Sequence, residues 1–146
     1  MSARTKARKR AVDLLYGADL RGISLADAIA AESERADAQP ARKASWLYAR
    51  EAVVGVAEHR EEIDELIETY AQGWTIERMP TLDRAIIRLG IWEIMFNDQV
   101  PDSVAISEAV KLASELSTDD SSGFVNGLLG RIAQLRPKQP AAGDPS

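Results

Sequence analysis

The sequence contains no cysteine and only one histidine, His59. Without cysteine, the chain has no disulfide bonds, no thiolate metal ligands and no cysteine nucleophile. His59 lies between Glu58 and Arg60, a charged setting that favours a solvent-exposed turn, and no set of residues around it forms a hydrolytic triad. Metal sites built on histidine or cysteine are likewise unavailable. We therefore expect no catalytic residue, no metal and no cofactor, and predict that the protein is not an enzyme.

Long apolar runs are also absent, since no stretch approaches the roughly 20 residues that span a bilayer. A polar, amphipathic stretch follows the basic N-terminus where a signal peptide would have an apolar core. Aromatic residues make up only 5% of the chain, and alanine, leucine and isoleucine dominate its hydrophobic 45%. This composition favours helices over a sheet. We expect a cytoplasmic protein that does not associate with a membrane.

Apolar residues recur at helical spacing from Thr5 to about Leu135, with a break near His59. This periodicity predicts an all-α fold, a helical bundle of six or seven helices. The segment 82–96 is apolar on nearly every side, so it should lie at the centre of the bundle. We expect one domain over residues 1–137 and a disordered tail over 138–146, where proline, alanine and glycine accumulate.

Helix ends are indicated by residues with known capping preferences. Gly22 is expected to end the first helix, and Ser24 is expected to cap the second. Thr81 is the predicted N-cap of the central helix, and Asp119 or Asp120 the predicted N-cap of the last one.

Two segments are harder to assign. The polar stretch 32–40 is either a loop or a frayed helix end. Gly123, Gly127 and Gly130 have the spacing of a smooth helix face, which favours close helix packing. A phosphate-binding loop is the weaker interpretation, because no strand precedes these glycines and no Lys-Ser/Thr pair follows them.

Charge is distributed unevenly along the chain. The net charge is −5, yet all charged residues among the first ten are basic, and the remainder carries 13 basic and 23 acidic residues. On a helix, Arg4 and Arg8 share one face and Lys6 and Arg10 another, so the helix could present a cationic rim to phosphates. The alternative is an idle solvated terminus, and composition leaves both open. The basic residues are Arg4, Lys6, Arg8, Lys9 and Arg10.

A second unusual segment begins at Asp119 and combines helix-capping groups with an aromatic residue, Phe124. An exposed Phe124 could stack on an unpaired nucleobase. The alternative is a buried Phe124 with Asp120 serving only as a cap, and from the residues alone this second interpretation is favoured.

Four stretches together resemble the NusB family of transcription antitermination factors. They follow the family order and cover nearly all of the predicted folded part. The stretches are KARKRAVDLLY at 6–16, LDRAIIRLGIWEI at 82–94, VPDSVAISEAVKLA at 100–113 and STDDSSGFVNGLLG at 117–130.

The resemblance implies an all-helical protein of two packed subdomains that binds the boxA element of ribosomal RNA leader transcripts. It also implies a partner, the ribosomal protein NusE, within the antitermination complex of RNA polymerase. The family's arginine-rich motif falls on Arg4, Lys6, Arg8, Lys9 and Arg10, and its second RNA-contacting element on Asp120 and Phe124. Family positions that face NusE match Tyr16, Glu77 and Asp83.

Two departures from the family pattern concern RNA affinity. Thr5 interrupts the basic run, and Gly123 stands where some relatives have a basic residue. Both imply weaker RNA binding without the partner.

Other functions remain open at this point. One is a protein-binding adaptor whose basic arm docks on an acidic surface. Another is an accessory domain related to the NusB-like part of rRNA cytosine methyltransferases, which is disfavoured because no sequence for a catalytic domain follows the bundle. Relatives include both monomers and homodimers, so a homodimer is not decided. If the assignment is correct, we expect reversal of Arg8 and Arg10 to Glu to weaken boxA binding while the fold survives. We also expect Asp83→Arg to impair partner binding and to leave thermal stability near that of the wild type.

Overall fold

The computed structural model describes residues 2–39 and 43–135. This part of the chain contains α-helices and one short 3₁₀ turn at Ile76–Arg78, without any strand. The predicted all-α fold is confirmed, and the predicted tail at 138–146 lies outside the described residues. The helices are α1 Ala3–Arg21, α2 Leu25–Ala38, α3 Lys43–Glu58, α4 Arg60–Tyr70, α5 Thr81–Phe96, α6 Asp102–Leu116 and α7 Asp119–Ala133.

Helix α5 lies at the centre, as its apolar sequence predicts. Its residues from Ala85 to Ile94 are all buried, and it packs against α1, α3, α4, α6 and α7. Helices α1, α2 and α3 pack on one another, and α7 packs on α4 and α6. Because α1 and α3 also contact α5, the buried apolar residues of both groups form one connected core.

The ends of the helices follow the sequence only in part. Gly22 ends α1 in the left-handed conformation at φ 69°, which glycine adopts without the strain that a Cβ would cause. Ser24 caps α2 by accepting a hydrogen bond from the Asp27 amide at 3.1 Å. The predicted break at His59 is confirmed, since α3 ends at Glu58 and α4 begins at Arg60.

Two predicted caps are wrong. Pro80, and not Thr81, is the N-cap residue of α5. Thr118 is the N-cap of α7, where its hydroxyl accepts from the Ser121 amide at 3.1 Å, so Asp119 and Asp120 already belong to the first turn. In that position their carboxylates favour the helix electrostatically, because the N-terminal end carries partial positive charge.

His59 is more involved in packing than a charged turn predicts. Its ring stacks on Phe96 with 3.8 Å between the centroids, and its Nδ1 lies 3.5 Å from a Glu62 carboxylate oxygen. The ring thus covers the C-terminal end of α5, a structural role at the junction of α3 and α4.

The expectation of close packing at the α7 glycines is wrong. A Cβ at Gly123 or Gly130 would meet nothing within 4 Å, and at Gly127 only the end of the Arg131 side chain at 3.4 Å. The tight contact occurs elsewhere: a Cβ at Gly55 in α3 would lie 1.9 Å from Trp92 Nε1. Helix α3 therefore approaches α5 closely because Gly55 leaves room for an indole ring.

Among residues 2–39 and 43–135, none of the helices combines the length and the apolar character that a bilayer-spanning segment requires.

We expect Gly55→Ala to lower the free energy of unfolding by about 3 kcal/mol, because the indole of Trp92 must move inside a packed core. Urea unfolding followed by circular dichroism measures the change. Gly130→Ala is the matched control: its Cβ meets open space, so helix propensity alone should raise stability by about 0.5–1 kcal/mol. Equal effects of the two substitutions would contradict the close approach.

Candidate nucleic-acid interface

The basic residues of α1 fall into two groups. Arg4 and Lys6 are exposed and Lys9 is partly exposed. Arg8 and Arg10 both form ion pairs within the protein. Arg8 and Arg10 would therefore have to give up an ion pair to bind a ligand.

Arg8 is buried, with only 3% of its surface exposed. Its Nε lies 2.9 Å from a carboxylate oxygen of Glu93 in α5, and its Nη1 lies 3.2 Å from Glu108 in α6. The expectation that Arg8 shares an exposed cationic face with Arg4 is therefore wrong. The physical reason is Glu93, which is 1% exposed, since a carboxylate inside the core is costly without an ion-pair partner.

Tyr48 of α3 completes this buried polar cluster. Its hydroxyl donates a hydrogen bond to Glu93 and accepts one from the Asn97 side-chain amide at 3.1 Å. Burial, followed by the nearby Glu93 carboxylate, raises the pKa of the Tyr48 hydroxyl, so it remains a hydrogen-bond donor. On its outer side, the Arg4 guanidinium lies 3.9 Å from the ring centroid, a cation–π contact that positions Arg4 at the surface.

Arg10 of α1 contacts residues of both α2 and α3. It pairs with Glu32 of α2, donates to the Ser45 hydroxyl at 2.9 Å and lies 5.3 Å from the Trp46 ring. Sequence reasoning missed this contact, because it assigned 32–40 to a loop or frayed end. In the structure α2 continues to Ala38.

The second candidate element lies at the start of α7. Asp120 is exposed and Phe124 is partly exposed. The Phe124 ring makes an edge contact with Trp74, at 6.0 Å between centroids, and Trp74 is 48% exposed. The two rings line a pocket of about 370 Å³ together with Met79, Pro80, Thr118 and the residues near Asp120. Phe124 therefore packs on the core with one side and faces this pocket with another.

Trp74 was missed as part of this element. It is a large aromatic side chain directly after Gly73, outside any helix. Such a position, where no helical periodicity explains a tryptophan, is a signal that could have identified it.

Asp83 also lines this pocket but is buried, with 6% of its surface exposed. Its Oδ2 accepts a hydrogen bond from the Ser121 hydroxyl at 2.8 Å, which ties α5 to α7. This contact argues against the expectation that Asp83→Arg leaves stability unchanged, because an arginine at this position would lose that bond and enter a packed site.

Tyr16 and Glu77 lie on segments that one arginine connects. Tyr16 is partly buried on α1, and Glu77 is exposed on the 3₁₀ turn. Arg84 binds Asp19 of α1 at 3.2 Å and donates to the Ile76 carbonyl at 3.0 Å. The structure thus joins the C-terminal half of α1 to the turn that carries Glu77.

The described residues contain no group of three or more histidine, cysteine or acidic side chains placed to hold a metal ion.

Comparison with known proteins places the chain in a family. The model of the NusB family matches residues 5–134. The chain belongs to the NusB family. The transcription antitermination protein NusB of Leifsonia xyli is 71% identical over 138 residues, covering 94% of this chain and 96% of that protein. NusB of Clavibacter sepedonicus is 65% identical, covering 91% and 97%.

Solved structures of NusB proteins share the fold. NusB of T. maritima superposes with a TM-score of 0.79 at 30% identity, covering 96% of this chain and 95% of that one. A chain from a complex of NusB and NusE with double-stranded RNA gives a TM-score of 0.79 at 29% identity, covering 92% and 98%. The NusB family consists of non-catalytic transcription antitermination factors, which confirms the prediction that the chain is not an enzyme.

Removing the buried Arg8 of α1 should destabilise the protein far more than removing the exposed Lys6. We expect Arg8→Ala to lower the free energy of unfolding by about 3–5 kcal/mol, because the buried Glu93 carboxylate loses its ion-pair partner. Lys6→Ala, on the same helix, should change stability by no more than about 0.5 kcal/mol. Chemical denaturation of both variants measures the difference. If Arg8→Ala lowers the free energy of unfolding only slightly, the buried Glu93 carboxylate does not need the Arg8 guanidinium.

Proposed function

We propose that the protein is a transcription antitermination factor that binds the boxA element of ribosomal RNA leader transcripts together with NusE. In this role it acts in the cytoplasm, as part of the antitermination complex of RNA polymerase, and supports ribosomal RNA synthesis. The observation that carries the proposal is the exposed basic start of α1, supplied by Arg4, Lys6 and Lys9, on a chain that belongs to the NusB family.

Electrostatics support a polyanionic ligand at this end of the molecule. The protein has a net charge of −5, so a nucleic acid is repelled from most of the surface and attracted to the start of α1. The buried network of Arg8, Glu93 and Tyr48 holds this helix against α3 and α5. The exposed cations therefore sit on a rigid support, which lowers the entropy cost of binding.

The pocket beside Asp120 and Phe124 supplies a second kind of contact. Aromatic rings recognise unpaired RNA bases by stacking, and Trp74 and Phe124 present two such rings, with 64° between their planes. We propose that phosphates bind at α1 and that an unstacked base binds at Phe124, with Asp120 at the rim.

The proposed NusE surface consists of Tyr16, Glu77 and Asp83. A relative in this fold was solved as a complex of NusB and NusE with double-stranded RNA, which supports a composite of two proteins and RNA here. Glu77 is the most accessible of the three residues. Asp83 would act at the base of this surface through its bond with Ser121.

We expect Lys6→Glu combined with Lys9→Glu to weaken binding to a boxA-containing RNA at least tenfold, because both charges reverse beside the phosphates. If Arg4, Lys6 and Lys9 neutralise three phosphates, the logarithm of affinity should fall with the logarithm of salt concentration at a slope of about −2. Fluorescence anisotropy at several salt concentrations measures both values.

The control for this variant is Arg50→Glu, since Arg50 is exposed on α3. It should reduce affinity only slightly and leave the melting temperature unchanged. If the wild-type protein binds neither boxA RNA nor a scrambled strand, with or without NusE, the proposed function is wrong. A basic arm that binds an acidic protein instead would then be the better account.

Partner binding should depend on Glu77. We expect Glu77→Lys to weaken NusE binding at least tenfold in calorimetry, because the charge is reversed on an exposed side chain, and to leave thermal stability within about 0.5 kcal/mol. Glu61→Lys serves as the control, since Glu61 is exposed on α4. Equal NusE affinity of the wild type and Glu77→Lys would remove Glu77 from the partner surface.

A further inference from the structure

Glu32 of α2 binds two arginines at once. One carboxylate oxygen pairs with Arg10 of α1, and the other lies 2.9 Å from Arg35 Nη1, one turn further along α2. The Glu32 side chain is only 8% exposed, whereas that of Arg35 is 63% exposed. An acidic group thus lies between two guanidinium groups, and one of these belongs to the basic helix.

A groove runs beside this cluster, between α1 and α2, with a volume of about 270 Å³. Three arginines line it, Arg10, Arg21 and Arg35, and the acids in its lining are Asp13 and Glu32. Arg21 is exposed and donates to the Gly17 carbonyl at 3.2 Å. Cations therefore outnumber acids in a groove on an otherwise acidic protein.

The Glu32 carboxylate resembles a phosphodiester in its charge and its hydrogen-bond acceptors. Both groups present two oxygens that share negative charge, and a guanidinium binds either through parallel N–H donors. A phosphate placed between Arg10 and Arg35 would satisfy the same donors that Glu32 satisfies in the structure.

We propose that the groove between α1 and α2 is a phosphate-binding subsite for the RNA backbone, formed by Arg10 and Arg35, and that Glu32 competes with RNA for it. This inference rests on the proposed function, because it extends the RNA path from the exposed start of α1. Lys6 precedes Arg10 by one helical turn and is exposed, so a strand bound at Lys6 reaches the groove within a short distance.

The packing of α2 allows the exchange. Apart from Glu32, the buried residues of α2 are Ala28 and Ala36, and Leu25 and Ile29 pack partly buried against the core, so these apolar residues keep α2 in place when the Glu32 side chain turns away. Replacing the Glu32 carboxylate by a phosphate keeps both arginines paired, which avoids the cost of leaving a partly buried cation without a counter-charge. The released Glu32 gains hydration at the groove.

The first test removes one of the two arginines. Arg35→Gln should weaken binding of a short single-stranded boxA RNA three- to tenfold and make the salt slope shallower by about 0.7. Because a phosphate contact carries no sequence information, a scrambled strand of the same length should lose affinity by the same factor. Arg50→Gln on α3 is the control with the same change of charge, and its affinity should stay near that of the wild type.

The second test removes the competitor. Glu32→Gln should raise RNA affinity three- to tenfold while lowering the melting temperature, because Arg10 loses its ionic partner. Glu34→Gln removes the same charge from an exposed position of α2 and should do neither. In a chain that also carries Arg10→Gln, the gain from Glu32→Gln should disappear, since Glu32 acts through Arg10.

The outcomes separate the subsite from the proposed function. If wild-type protein binds RNA and Arg35→Gln binds it equally well, the subsite is wrong and the proposed function stands. If Glu32→Gln and Glu34→Gln raise affinity equally, general charge explains the gain and the competition is wrong. If Glu32→Gln only lowers the melting temperature, Arg10 is a structural clamp between helices. If no protein variant binds RNA, the proposed function fails and the subsite with it.

Discussion

The ion pair between Arg8 and Glu93 is the interaction on which the arrangement of the basic helix depends. It joins α1 to the central helix α5 inside the core, at 2.9 Å, with both side chains almost fully buried. A buried carboxylate and a buried guanidinium are each costly alone, and together they are tolerated only with good geometry and further hydrogen bonds. Glu108 accepts a hydrogen bond from Arg8, and Tyr48 donates one to Glu93. Asn97 in turn donates to the Tyr48 hydroxyl, so the pair also determines how α3 and α6 pack on α1.

This arrangement divides the charges of α1 by function. Arg8 stabilises the fold, Arg10 joins α1 to α2 and α3, and Arg4, Lys6 and Lys9 remain at the surface. A basic run of this kind is therefore not a uniform ligand site. The same helix that presents cations to RNA in the proposed function is anchored by other members of the run, and this rigid anchor lowers the entropy cost of binding.

At the second proposed RNA contact, the pocket at Phe124, residues that stabilise the fold also lie beside the proposed ligand site. Asp83 lines the pocket of Trp74 and Phe124 and binds Ser121 beneath it. Any ligand or partner at this pocket therefore meets groups that also connect α5 to α7. The proposed RNA and partner surfaces are adjacent here, because the start of α7 and the start of α5 are held together by one buried hydrogen bond.

The fold was predictable because helical periodicity is a local property. The apolar spacing indicates the bundle, the break at His59 and the central place of α5, and the capping preference of serine indicates the cap at Ser24. The prediction of close packing at the α7 glycines was wrong, because their spacing does not show which helix lies beside them. The close helix contact is at Gly55 of α3. A clue was present for the buried pair: Glu93 is the one charged residue in the apolar run 89–96, and a buried charged residue needs a partner.

What the sequence by itself determined was the helical class, the membership in a family and the concentration of basic charge in the first ten residues. Only the tertiary structure decided which of those charges are available. Arg8 and Glu93 are separated by 85 residues and Arg10 and Glu32 by 22, so their pairing depends on how α1 packs against α5 and α2. Whether a charged side chain contacts a ligand or anchors the fold depends on residues that are distant in sequence and close in space. Periodicity along one helix carries no information about those residues.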